Sequence, residues 1–313
     1  MTKIIEKKQI VLMYIFASAV YFMSYFTRIN YNTVLVEIST AENILHSLLA
    51  LPLTASFITY GLGQTISGWL GDKVDPFRLI SLGLGLSALM NILLPIFPKL
   101  YVMTMLWAVN GFAQALIYPP LMKLTSHYLS EGNYAKTCLF VTIGSHAATL
   151  LMYLAAPMKI ALSSWKLVFF SSFGCAVAFL VIWQIYAGSM KKKYGKPSEE
   201  PKTKGETAET HESVSVKTLL ISSGLIIIML AVVMQGFLRD GIATWMPAYL
   251  SDVFSLSNEI SILTTVILPI FSIFSAYVIL AIRNRFCKNE LKLAGITFST
   301  ALAAIVLLLI FRA

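Results

Sequence analysis

The chain has 313 residues, of which 57% are hydrophobic and only 12% charged, and its mean hydropathy is +0.76. Soluble domains carry roughly 25% charged residues, so this balance excludes a water-soluble globular protein and predicts an all-α integral membrane protein. A net charge of +9 would point to nucleic acid only if the cations gathered on one soluble surface, and they are instead spread between apolar runs.

A membrane span needs about 20 apolar residues. Taken in chain order, apolar runs cover residues 10–36, 45–70, 77–97, 99–124, 134–158 and 165–188, and after a polar stretch 217–250, 257–282 and 291–311. They predict nine transmembrane helices, six before the break and three after it. The first run has no small-residue cleavage site behind it and reads as a span, not a removable leader. With the N-terminus cytoplasmic, eighteen Lys and Arg residues fall in inner segments and three, Lys99, Lys159 and Lys166, in outer ones. Cytoplasmic loops carry the excess of positive charge, so the expected location is the cell membrane, multi-pass, with the N-terminus inside.

The expected organisation is a six-helix bundle over 1–188, a cytoplasmic linker over 189–216 and three further spans over 217–313. The linker, in the stretch KKKYGKPSEEPKTKGETAETHESVSVK, is rich in Lys, Glu and Thr and poor in apolar residues, so it has no core of its own. His211 in it reads as solvated. Cys138, Cys175 and Cys287 are far apart, with no CxxC and no neighbouring histidine cluster, so neither a disulfide framework nor a metal site is expected. No nucleophile motif or phosphate-binding loop occurs, so no enzyme and no cofactor are expected.

The first span carries YFTRINYN, with Arg28 near its outer end. An arginine within the membrane costs about 2.5–3.5 kcal/mol on insertion scales and marks function or an interfacial anchor. Tyr21, Tyr25 and Arg28 stand at i, i+4 and i+7, one face of a helix. Tyr60 and Gln64 repeat the i, i+4 relation on the second span, although tyrosines at helical spacing also suit packing and interfacial belts. The seventh span carries FLRDGIATW, which aligns Phe237 and Arg239 with Phe26 and Arg28. A repeat of this kind is how pseudo-symmetric carriers place a site between two halves. Asp240 follows Arg239 directly, and adjacent helical residues point about 100° apart, so direct pairing of the two is not expected. His146 lies in IGSHAATL among small residues that permit close helix contact. After span two, GWLGDKVDPFR places Asp75 and Pro76 as N-cap and first residue of span three. Asp72, Lys73 and Arg78 there form either a charge cluster that latches one conformation or simply a well-capped turn.

That turn resembles the loop signature of the major facilitator superfamily, twelve-helix carriers made of two six-helix bundles. NGFAQALIYPPLMKLTSHYLS from Asn110, FLRDGIATWMPAYL from Phe237, and Tyr21, Tyr25 and Arg28 together resemble its organophosphate:phosphate antiporter family, which includes glycerol-3-phosphate and hexose-phosphate carriers. The resemblance implies that Arg28 and Arg239 bind phosphate and that His146, Tyr21, Tyr25 and Tyr60 line the same cavity. Gln64 stands where glycerol-phosphate carriers have lysine, so one cation is missing. The family has twelve helices; the nine expected here imply a carrier shortened at its C-terminus.

Arginine suits phosphate because its planar fork makes two parallel charge-assisted hydrogen bonds. The implied partners are a phosphorylated small molecule, inorganic phosphate and the lipid bilayer, with no nucleic acid. The expected function is exchange of an organophosphate for inorganic phosphate by alternating access. Open alternatives are a sugar-acid symporter of the same superfamily, a sugar-phosphate sensor with a signalling partner, and an inactive shortened fragment.

Overall fold

A computed structural model of the chain describes residue 4 and residues 6–195, 225–285 and 289–311. Twelve α-helices lie in these residues: α1 (Lys7–Thr33), α2 (Leu35–Glu42), α3 (Ala50–Lys73), α4 (Pro76–Ile96), α5 (Leu100–Ala115), α6 (Tyr118–Tyr128), α7 (Glu131–Leu162), α8 (Lys166–Tyr194), α9 (Leu225–Phe254), α10 (Asn258–Thr265), α11 (Ile267–Arg285) and α12 (Glu290–Phe311). The fold is the expected all-α membrane architecture. Five stretches among the described residues are long and apolar enough to cross a membrane: Lys7–Thr33, Pro76–Leu93, Leu100–Tyr128, Glu131–Leu162 and Lys166–Tyr194. Of the expected linker, residues 189–194 continue α8; 196–216, with His211, lie outside the described residues, as does Cys287.

The helices form two compact units, Met1–Val266 and Ile267–Ala313. In the first, α1 runs through the middle, packing along α7 and α8 and touching α4, α5, α6 and α9, while α3 packs on α5 and α4 on α8. Close approach depends on small residues. A Cβ on Gly144 of α7 would stand 2.6 Å from the Ser18 carbonyl oxygen of α1, and the Ser18 hydroxyl donates to the Phe140 carbonyl at 2.8 Å. The second unit, α11 and α12, is apolar along most of its length.

Polarity is distributed as hydrocarbon surroundings require. Leu62, Met105 and Ile185 face outward at 65%, 68% and 70% exposure, whereas Asn30, Asn91, Asn110 and Gln114 are at most 1% exposed. Those amides meet in one network that joins α1, α4 and α5. Ser24 donates to Gln114 Oε1, and Gln114 Nε2 donates to Ser87 at 2.8 Å and Thr27 at 3.1 Å. Ser87 donates to Asn110 Oδ1 at 2.6 Å. Asn91 Nδ2 donates to the Thr27 and Ser87 carbonyls at 3.0 and 2.8 Å, and Asn30 Nδ2 donates to Asn91 Oδ1 at 2.5 Å. In lipid each of these groups must find an internal partner. Ser24, Thr27 and Asn30 step by three residues along α1, so the network fixes the face of α1 that adjoins the one carrying Tyr21, Tyr25 and Arg28.

Two sequence signals explain local breaks. Asp75 caps α4 as expected, its carboxylate accepting from the Phe77 backbone N–H at 3.0 Å. Pro119 and Pro120 cannot donate to the carbonyls of Ala115 and Leu116, four residues back, and α5 ends at Ala115 before α6 resumes at Tyr118.

Candidate functional site

Arg28 lies on α1 between two phenol rings. Its guanidinium carbon is 4.4 Å from the centroid of Tyr25 and 5.4 Å from that of Tyr60 on α3. Stacking a guanidinium on aromatic faces supplies part of the attraction that hydration would give it. Tyr21 packs edge-on against Tyr25 at 5.0 Å and tilts against Tyr118 of α6 at 5.1 Å. The three residues expected on one face of α1 therefore do share one, and the proline-made break between α5 and α6 brings a fourth tyrosine to it.

Arg239 sits on α9, across from α1. Its side chain forks onto the neighbouring carboxylate: Nε donates to Asp240 Oδ1 at 2.8 Å and Nη2 to Oδ2 at 3.1 Å. This corrects the expectation that adjacent helical side chains would not pair. The backbone directions differ by about 100°, but three methylene groups let the guanidinium swing across that angle. Arg28 and Arg239 lie within electrostatic reach of each other, and Tyr25 and Tyr60 each within reach of both. Asp240 acts on Arg28 as well as on Arg239. His146 of α7 is half-buried and within reach of Arg239's charge. Gln64 lies one turn from Tyr60 and interacts with its hydroxyl.

Between α3 and α9 is a cavity of about 870 Å³, with Tyr60, Gln64, Asp240 and Thr244 on its polar part and Phe57, Val233 and Trp245 on its apolar part. Small-molecule sites commonly fall between about 300 and 1,000 Å³ with this mixture of lining. A second space of about 30 Å³ opens beside Arg28, Asn32, Asp240 and Thr244, room for a water or two. Near its other end α9 is tied to the first helices. Asn32 Nδ2 donates to Thr244 Oγ1 at 3.1 Å, and the Tyr153 hydroxyl donates to the Ala243 carbonyl at 2.8 Å. His46 Nδ1 approaches the Asp252 carboxylate at 3.9 Å.

The residues of the expected latch are placed otherwise than as a cluster among themselves. Asp72 pairs with Lys123 of α6 at 2.6 Å, Lys73 stands 3.8 Å over the Trp69 ring, and Arg78 is exposed. Asp75, the cap, also pairs with Lys191 of α8 at 2.6 Å. The loop is thus tied to other helices by two lysines that spacing alone did not single out. Sequence reasoning also missed Asp240 as a partner of Arg239, and Tyr118, although the double proline beside Tyr118 was a usable signal.

A profile of the Major Facilitator Superfamily matches residues 17–313. The glycerol-3-phosphate transporter of Bacillus subtilis is 25% identical over 266 residues, covering 80% of this chain and 60% of that protein. A probable hexose phosphate transport protein of Chlamydia trachomatis is 21% identical over 64% of this chain and 44% of its own length. The membrane sensor protein UhpC of Salmonella typhimurium is 30% identical over 111 residues, 36% of this chain and 25% of that one. The chain therefore spans less than two thirds of the length of these relatives. A crystal structure of a D-xylose-proton symporter shares the fold, with TM-score 0.64 at 13% identity over 88% of this chain and 69% of the symporter. The glycerol-phosphate and hexose-phosphate transporters among these relatives are of the kind that the motifs resemble, and the chain belongs to the major facilitator superfamily.

Proposed function

We propose that the protein is a secondary carrier of the cell membrane that exchanges an organophosphate, such as a sugar phosphate or glycerol phosphate, for inorganic phosphate. One observation carries the reading: Arg28 of α1 and Arg239 of α9 lie within electrostatic reach of each other, with Tyr25 and Tyr60 within reach of both, beside a cavity that Tyr60 and Asp240 line. Two arginine forks can share the oxygens of one phosphate, which neither lysine nor a neutral donor reproduces.

Exchange follows from the electrostatics of the empty site. Arg239 is neutralised by Asp240, but among the described residues no carboxylate pairs with Arg28. Closing the site would desolvate that charge, which is costly without a counter-ion. A bound anion supplies one, so the loaded carrier reorients and the empty one does not. With the N-terminus cytoplasmic, the ties at Ala243, Thr244 and Asp252 hold the outer half of α9 to the other helices, and the cavity between α3 and α9 runs alongside them from Ala50 to Gln64. Rocking of a bundle over 1–188 against helices beyond the 189–216 linker would then alternate access.

The test is counterflow in liposomes reconstituted with the full chain. Uptake of labelled glycerol 3-phosphate is expected only when phosphate is trapped inside. Steady accumulation without internal phosphate would exclude exchange. Transport of a sugar acid, unaffected by phosphate on either side, would favour the symporter reading.

A further inference from the structure

Asp240 is the feature of this site for which the repeat provides no counterpart. Aligning Arg28 with Arg239 sets Ile29 against Asp240, so one half of the site contains a carboxylate where the other has an alkyl group. Asp240 occupies the fork of Arg239 with both of its oxygens, at 2.8 and 3.1 Å. That is the two-point contact a phosphate would make. It also acts on Arg28 and borders both cavities. Arg28 is within electrostatic reach of it and Tyr60 lines the larger cavity with it, while Tyr25, Tyr60 and, from α7, His146 are within reach of its partner Arg239.

We propose that Asp240 is a specificity-determining residue, a built-in counter-anion that sets the ligand charge this site accepts. The inference rests on the phosphate-site reading and deepens it. Arg28, Arg239 and Asp240 together carry one net positive charge, and Gln64 adds none. A singly charged tetrahedral anion completes neutrality. A dianion leaves one negative charge in excess and must compete with Asp240 for the Arg239 fork. The site therefore discriminates against doubly charged esters relative to singly charged ones of the same shape, and removing the carboxylate reverses this.

The experiment compares two isosteric ligands at a fixed pH of about 8, where a phosphate monoester, with a second pKa near 6, is a dianion and a sulfate monoester a monoanion. Binding of glycerol 3-phosphate and glycerol 3-sulfate is measured on the purified native chain, Asp240→Asn and Asp240→Ala. Both variants are expected to gain phosphate affinity over sulfate by about tenfold or more, tenfold corresponding to 1.4 kcal/mol. If Asp240 merely holds the Arg239 side chain in place, both esters weaken together and their ratio stays fixed, which overturns the charge-setting role. If neither ester binds any of the three proteins, the phosphate-site reading falls and this inference with it.

Discussion

The first helix and the ninth carry the same three-residue signature and treat its arginine in opposite ways. On α1, Arg28 is half-buried, stacked between Tyr25 and Tyr60, and its helix is anchored along an adjoining face by Ser24, Thr27 and Asn30. On α9, Arg239 is exposed, with its fork filled by Asp240, and the helix is held to α1 and α7 by two hydrogen bonds near Thr244. A repeated motif thus specifies where a cation stands, while the residues beside it decide whether that cation is available. A fixed guanidinium on one side and a guanidinium with an exchangeable partner on the other suit a site that must both grip an anion and release it.

The largest test of this asymmetry replaces each arginine by lysine, keeping charge and removing the fork. Hydrogen bonds to charged groups contribute about 1.5–3 kcal/mol each. Arg28→Lys should weaken glycerol 3-phosphate binding about 100-fold, since of the two site arginines it is the one whose fork is not filled by a carboxylate. Arg239→Lys should cost only about tenfold, because Asp240 already competes for that fork. Calorimetric titration of the two variants checks this, and equal losses would break the comparison.

A smaller effect is expected when α1 is given the neighbour that α9 has. Ile29 is half-buried beside Arg28 in the smaller cavity, so Ile29→Asp brings a carboxylate within reach of that guanidinium. Phosphate affinity should fall about tenfold, with Ile29→Asn, nearly the same shape without the charge, staying close to native. An Asp variant that binds as tightly as the Asn variant would show that the carboxylate beside an arginine is without consequence here, and would remove the reason for contrasting the two helices.

How far the sequence alone reaches follows from the range of each interaction. The shared face of Tyr21, Tyr25 and Arg28 was legible because helical spacing is local, and so was the Asp75 cap. The partner of Asp72 was not: Lys123 is chosen by the packing of α3 against α6, which no spacing rule contains. The amides of Asn91, Asn110 and Gln114 stand in apolar runs where composition marks them as costly without showing that Ser24, Thr27 and Ser87 satisfy them. The Arg239–Asp240 fork was local yet misjudged, because backbone direction was used where side-chain reach decides.

The difference in anchoring gives the smallest effect and can be measured without any ligand. Asn110→Leu removes an acceptor for Ser87 of α4 and a donor to the Thr27 carbonyl of α1; Thr244→Val removes only the partner of Asn32. Side-chain hydrogen bonds between membrane helices contribute about 0.6 kcal/mol on average and up to about 1.7. The first change should therefore lower stability by roughly 1–2 kcal/mol, since two buried bonds are lost at once, and the second by about 0.6 kcal/mol. Thermal unfolding in detergent ranks the two, and labelling of a cysteine placed near Thr244 separates their causes. Thr244→Val should raise labelling there with little change in unfolding temperature, because it loosens one end of α9 and leaves the α1 network whole. If Thr244→Val instead unfolds the protein as readily as Asn110→Leu, α9 is as firmly built into the bundle as α1, and it cannot be the side of the site that moves.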